Sequence, residues 1–158
     1  MPNHVVLFQP EIPANTGNIA RTCLATDTTL HLIHPLGFST EDRMVKRAGL
    51  DYWYDVTIYH YDSLEELYGK FPEGDYYYVE NFGGSSFVEM DYTDTAKDQL
   101  FVFGRESDGI PHELLEGMED RCVRIPMTDK VRSLNLANTV SIMLFHVLHE
   151  QGFPGLIK

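Results

Sequence analysis

Behind the apolar run Leu100-Phe-Val-Phe103 comes Gly104-Arg-Glu-Ser-Asp-Gly109, a polar loop bounded by two glycines. At the carboxyl edge of a sheet such a loop offers backbone and side chains to a ligand, and Glu106 could accept from ribose hydroxyls or from neighbouring amides. A tight surface turn would have the same composition. A second group is Asn15-Thr-Gly-Asn-Ile-Ala-Arg21. Gly17 permits a close turn at a helix start, where free amides attract anions. Arg21 falls on the same side one turn later, where a guanidinium could hold phosphate or carboxylate. An ordinary cap followed by a surface arginine is the plainer reading. A third group joins Arg124-Ile-Pro-Met127 to Arg132-Ser-Leu-Asn-Leu-Ala-Asn138. Pro126 fixes the chain and removes a donor, leaving nearby carbonyls available. Ser133 or Asn135 suits the cap of the next helix. Asn138 is polar on an otherwise apolar stripe.

Other chemistries lack their residues. The loop after Phe103 is not G-x-G-x-x-G, and no Gly-Lys-Ser/Thr follows it, so neither a dinucleotide fingerprint nor a phosphate-binding P-loop is present. The seven histidines include the pairs His31/His34 and His146/His149. No carboxylate or cysteine completes a ligand set around either, so no metal is expected. No nucleophilic Ser-His-Asp or Cys-His pattern stands out. Tyr76-Tyr-Tyr78 reads as strand packing rather than base stacking.

These groups need a frame. Strands are expected at His4 to Phe8, Leu30 to Ile33, Asp55 to Tyr59, Tyr76 to Val79, Leu100 to Phe103 and Cys122 to Ile125. Pro10, Pro13 and Asn15-Thr-Gly17 read as a turn leading into a helix from Asn18 to Thr26. Glu41 to Ala48 is a short helix, and Asp62 is the expected cap of a helix ending at Tyr68. Residues 82–98 read as loop with a short helical turn. Leu136, Val140, Met143, Leu144, Val147 and Leu148 fall on one helical stripe, stopped by Gly152 and Pro154. Strands alternating with helices predict an α/β fold with a mostly parallel sheet flanked by helices. With no linker or repeat, residues 1–158 read as a single domain.

Composition narrows the setting. The chain has 158 residues, 43% of them hydrophobic, which is enough for one buried core. No apolar run is long enough to span a bilayer, and the N-terminus lacks the features of a signal peptide. Cys23 and Cys122 lie far apart in apolar contexts, and no disulfide is expected. The reading is a cytoplasmic protein without a membrane partner. A net charge of −12 argues against indiscriminate nucleic-acid binding. Even so, the few cations gather as Arg43, Lys46 and Arg47, and as Arg105, Arg121, Arg124, Lys130 and Arg132. Either group could be a solvated face.

Taken in order, several blocks resemble the SPOUT superfamily of RNA methyltransferases, and more narrowly the TrmL (YibK) family of tRNA 2′-O-methyltransferases. The blocks are Glu11–Arg21, His34–Phe38, Arg47–Tyr52, Phe103–Pro111, Arg124–Met127 and Arg132–Asn138. The resemblance implies a parallel α/β fold whose C-terminal part forms a trefoil knot, an exception to ordinary chain topology. It implies S-adenosylmethionine bound by Val79, Gly104, Ile125 and Ser133, with Leu134, Asn135 and Asn138 nearby. It implies a homodimer packing the first and last helices, the stripe from Leu136 being partly interface. The substrate it implies is the wobble nucleotide, position 34, in the anticodon stem-loop of certain leucine tRNAs, a cytidine or a modified uridine.

Within that resemblance Arg21 is the catalytic arginine, with Asn15, Glu106 and Ser133 as positioning groups. Arg43, Lys46, Arg47, Arg105, Lys130 and Arg132 would contact RNA, forming one cleft across two subunits. The chain departs from the family after Val79, where Glu80-Asn-Phe-Gly83 replaces the family's small and basic residues. Two alternatives remain at this point: methylation of another RNA site, and an RNA-binding module without catalysis.

Overall fold

The structure, a computed structural model, describes residues 2–157 and, for residues 49–51, the backbone alone. Strands β1 (Asn3–Phe8), β2 (Thr29–Ile33), β3 (Ile58–Tyr61), β4 (Asp75–Val79), β5 (Ser85–Ser86), β6 (Gln99–Phe103) and β7 (Cys122–Arg124) form one seven-stranded sheet. The order is β3-β2-β1-β6-β4-β7-β5, and every ladder is parallel. The helices are α1 (Pro13–Ala25), α2 (Arg43–Gly49), α3 (Leu64–Lys70) and α4 (Leu136–Gln151). The expected α/β class is therefore present.

Alternation along the strands divides two cores. Val5 and Leu7 of β1 share one with Phe101, Phe103, Ile19 and Cys23, together with Met143, Leu144 and Val147 of α4. Val6 and Phe8 share the other with Leu100, Val102 and the α3 residues Leu64 and Leu67. A parallel sheet covered on both faces needs continuous apolar strands, which explains runs such as Leu100-Phe-Val-Phe103. Cys23 and Cys122 are buried and unpaired with each other.

Several boundaries differ from the sequence reading. Helix α1 starts at Pro13, so Asn15, Thr16 and Gly17 are helical residues rather than a turn. Proline at the first helical position has its backbone already set and lacks an amide that would go unbonded there. The third strand runs Ile58–Tyr61 because Leu50–Asp55 coils into a 3-10 helix, with Trp53 and Val56 entering the core. Ser63, not Asp62, caps α3: its hydroxyl accepts from the Glu66 amide at 3.3 Å, while the Glu66 carboxylate accepts from the Asp62 amide at 2.8 Å. This is close to a reciprocal capping box. The apolar stripe of α4 faces mostly inward. Val140, Met143, Leu144, Val147 and Leu148 fill the chain's own core, while Ile142 and Phe145 are the apolar residues of α4 left exposed.

At the amino edge of the sheet a polar chain crosses the strands. Asp98 meets His4 at 2.9 Å, His4 meets His31 at 2.9 Å, and His31 meets the Tyr61 hydroxyl at 2.9 Å. Burial, and secondarily the charges of His4 and Lys70, push the His31 imidazole down to about 3. Burial also lowers His4, outweighing its contact with Asp98. In the unfolded chain a histidine titrates near 6.5. Below that pH the unfolded state takes up protons that the folded state refuses. The contribution is therefore complete above about pH 6.5 and declines as pH falls toward the folded value, by up to roughly 1.4 kcal/mol per pH unit for each histidine. The urea midpoint is expected to fall steadily from pH 7 to pH 5. A midpoint that is flat over that range in wild type would show that the pair is not held neutral by the fold.

Candidate functional site

The site lies outside the carboxyl ends of β1, β6 and β4, where the chain order of the sheet reverses between β1 and β6. Crevices of this kind are the usual ligand sites of open α/β sheets. Here the crevice is a cavity of about 470 Å³, within the range of small-molecule pockets. Val79 and Phe103 come from strand ends, Gly104 to Ile110 from the glycine loop, Ile125 and Met127 from the chain after β7, and Arg132 to Leu136 from the approach to α4.

The glycine loop is pinched shut by its own backbone. The Arg105 amide donates to the Gly109 carbonyl at 3.1 Å and the Gly109 amide to the Arg105 carbonyl at 2.9 Å. Gly109 takes φ of 68° to close this ring. A Cβ on Gly104 would lie 2.1 Å from the Gly109 carbonyl carbon and 2.2 Å from the Ile110 nitrogen. A side chain at Gly104 would therefore disrupt the closed loop that lines the cavity.

Glu106 is a staple between segments. Its carboxylate accepts from the Glu11 amide at 2.9 Å and the Ile12 amide at 2.7 Å. Ile12 precedes α1 and offers no side-chain cap, so a carboxylate from a distant loop satisfies free amides at the helix start. Glu11 reciprocates, accepting from the Ser107 amide at 2.9 Å and the Ser107 hydroxyl at 2.8 Å. The Ser107 backbone bond is the main reason the Glu11 carboxyl sits below its usual value.

The staple continues into an amide chain. Asn15 Nδ2 donates to Glu106 at 3.4 Å, and Asn135 Nδ2 donates to Asn15 Oδ1 at 3.1 Å. Asn135 Oδ1 then accepts from the Asn138 amide at 3.2 Å, capping α4. Glu106, Asn15 and Asn135 thereby lock the glycine loop, α1 and α4 together around one wall. Asn135→Ala removes both the cap and the link to Asn15. It is expected to cost about 1–2 kcal/mol in chemical denaturation, and an unchanged midpoint would show that the chain of amides is incidental.

Of the residues singled out in the sequence, Val79, Gly104, Ile125, Ser133, Leu134, Asn135, Asn15 and Glu106 meet in the cavity wall. Arg105 and Arg132 join them there. Asn138 is exposed and outside the wall, serving the α4 cap through its amide. Arg21 is also exposed and outside it, its guanidinium carbon 5.4 Å from the centre of the Tyr52 ring. Arg43, Lys46 and Arg47 lie on α2, and Lys130 is exposed in the loop before Arg132. Within one chain the basic residues thus fall on α2 and on the loops around the cavity. Lys46 is also paired with Glu41 at 2.9 Å.

The wall includes residues the sequence reading did not assign to it. Asn81, Phe82 and Asp108 line it, as do His112 and Met127. Glu80, noticed as a departure, lines it too, and burial raises its carboxyl above the ordinary value despite the nearby His112. Val79 ends its strand as Phe103 does, so the residues just beyond it were open to the same inference that was applied to the Gly104 loop. Among the described residues no cluster could hold a metal ion, and no helix is long and apolar enough to cross a membrane.

Comparison with known proteins gives concordant matches. The model of the SpoU rRNA Methylase family matches residues 2–145. A curated protein of Geobacillus stearothermophilus, named "Putative tRNA (cytidine(34)-2'-O)-methyltransferase", is 58% identical over 97% of this chain and 98% of its own length. A crystal structure of a "putative RNA methyltransferase" from Bacillus anthracis is 57% identical, covers 99% of this chain and 98% of that one, and superposes with a TM-score of 0.92. A structure from work on the 2-OH methylation of C/U34 on tRNA is 38% identical, covers 95% of this chain and 96% of that one, with a TM-score of 0.88.

Proposed function

Because the chain belongs to the SpoU rRNA Methylase family, we propose that it methylates the ribose 2′-oxygen of the wobble nucleotide, position 34, of leucine tRNAs. The target base is a cytidine or a modified uridine. The full-length relative named for cytidine 34 supports the site on tRNA, and the cavity supports the chemistry. The observation that carries the reading is the cavity at the carboxyl ends of the strands, where Gly104 lies in one wall with Val79, Ile125 and Leu134.

The methyl donor of the class is S-adenosylmethionine, which supplies a methyl group on a positively charged sulfur. The residues present fit it. Val79, Ile125 and Leu134 give apolar walls for a base, with backbone at Gly104 to read its edge. Arg105 and Arg132, beside Glu80 and Asp108, offer partners for the carboxylate and the ammonium of an amino acid. Asn135 ties this segment to Asn15, and Ser133 lines the cavity near it.

The reaction needs alignment above all, since a weak nucleophile must attack in line, and fixed geometry can supply several kcal/mol. Arg21 stays protonated in a protein. Its role is to clamp the phosphate beside the target ribose and to stabilise charge developing on the 2′-oxygen. Glu106 and Asn15 position the wall. Because Arg21 sits outside the cavity of its own chain, we assign it to the cavity of a second protomer. An apolar surface of Phe145, Phe153 and Leu156 beside Ala25 supports a homodimer joined through α1 and α4. Strand β7 lies between β4 and β5 although it follows both, which is consistent with the trefoil knot of the SPOUT fold.

The anticodon stem-loop would meet Arg43, Lys46, Arg47, Arg105, Lys130 and Arg132 across two protomers. On an acidic chain this contact should weaken steeply with salt. Action on tRNA would favour a cytoplasmic setting. Transfer of labelled methyl from S-adenosylmethionine should occur to tRNA lacking wobble 2′-O-methylation and not to tRNA already carrying it. Equal labelling of both pools would move the target to another site.

A further inference from the structure

The segment after α2 carries a surface that the cavity does not use. Within Asp51-Tyr-Trp-Tyr-Asp55, Trp53 is buried in the core while the side chains on either side turn outward. Tyr52 is 42% exposed and Tyr54 75% exposed. Each lies beside a cation: the Arg21 guanidinium carbon is 5.4 Å from the Tyr52 ring centre, and the Lys46 ammonium is 5.6 Å from that of Tyr54. Arg43 and Arg47 are exposed on the same short helix as Lys46. Glu41 pairs with Lys46, and Asp42 and Asp55 border the patch.

Trp53 and Val56 anchor the segment in the core, which leaves the Tyr54 ring largely in solvent. Exposed aromatic faces interleaved with cations on an acidic protein match one class of ligand by charge and shape: unpaired nucleotides. Their bases stack on the rings and their phosphates meet the cations. Loops of RNA are recognised in this way, whereas duplex RNA hides its base faces. We propose that Tyr52 and Tyr54 form a stacking platform for unpaired RNA bases, distinct from the methyl-donor cavity. The identification of RNA as the ligand rests on the function proposed above. Arg21 joins the two surfaces, so a base stacked beside Tyr52 would be a neighbour of the nucleotide whose phosphate Arg21 holds.

The test uses the full chain and an unstructured decamer of RNA carrying 2-aminopurine, whose fluorescence is quenched by stacking. Wild type should quench it on binding. Tyr54→Ala should lose most of the quenching and bind about tenfold more weakly, with an unchanged salt slope because no phosphate contact is removed. Tyr54→Phe should behave as wild type. The exposure of Tyr54 predicts an unchanged melting temperature in both variants. Retained quenching in Tyr54→Ala, or no quenching by wild type, would overturn the platform. The readout requires no methyl transfer, so a wild type that stacks this RNA but fails to methylate tRNA would refute the proposed reaction and leave the platform standing.

Discussion

Arg21→Ala is expected to lower kcat by about 10²–10³-fold if the arginine acts as proposed, the loss typical when a group stabilising developing oxyanion charge is removed. The residue is exposed and its ring contact with Tyr52 is loose, so the fold should tolerate the change. S-adenosylmethionine affinity should stay as in wild type, because the role proposed for Arg21 is toward the RNA phosphate and the 2′-oxygen rather than the cofactor. Arg21→Lys should recover little, since an ammonium lacks the planar fork that grips a phosphate. If Arg21 acts across the dimer, a mixture of Arg21→Ala chains with cavity-disabled chains should regain activity in the mixed dimers, each of which holds one intact composite site. Near-normal turnover by Arg21→Ala would remove the arginine from the mechanism.

Gly104→Ala should be as damaging for a different reason. The added methyl would meet Gly109 at 2.1 Å, far inside van der Waals contact. The loop must open, and the bonds between Arg105 and Gly109 must lengthen or break. Overpacking of this kind costs about 1–3 kcal/mol of stability. Displacing the ligand floor by about 1 Å should cost on the order of a hundredfold in kcat/KM. Calorimetric titration with S-adenosylmethionine checks this directly, and wild-type affinity in Gly104→Ala would mean that the loop is not the floor of the site. Gly109→Ala makes a useful contrast. Its Cβ would meet nothing within 4 Å, so any harm arises from its φ of 68° alone.

What the sequence made legible follows from whether a residue's partner is local. The cap of α4 by Asn135 and its end at Gly152 depend on neighbouring residues, and both were anticipated. The apolar runs of β1 and β6 announce a doubly covered sheet in the same way. Asn15 and Gly17 were misread because their local chemistry favours a turn, while the carboxylate that stabilises the start of α1 comes from Glu106, remote in sequence. For Glu106 the sequence left ribose hydroxyls and backbone amides both open, and the fold selects the amides of Glu11 and Ile12. Asp62 and Ser63 are a different kind of miss. Ser63 with Glu66 three residues later is a local signature, present in the sequence and passed over for the adjacent aspartate. The residues beyond Val79 could be inferred from a strand end as the Gly104 loop was, but that the two meet in one wall follows only from the pairing of β4 with β6.

The most direct measurement uses synthetic leucine tRNA anticodon stem-loops with labelled S-adenosylmethionine, followed by digestion and identification of the labelled nucleoside. One stem-loop carries ribose at position 34 and its control carries 2′-deoxyribose there. The account predicts label in the 2′-O-methylated nucleoside from position 34 of the first and none in the control. Equal label in the two stem-loops, or label in a base rather than a ribose, would contradict it.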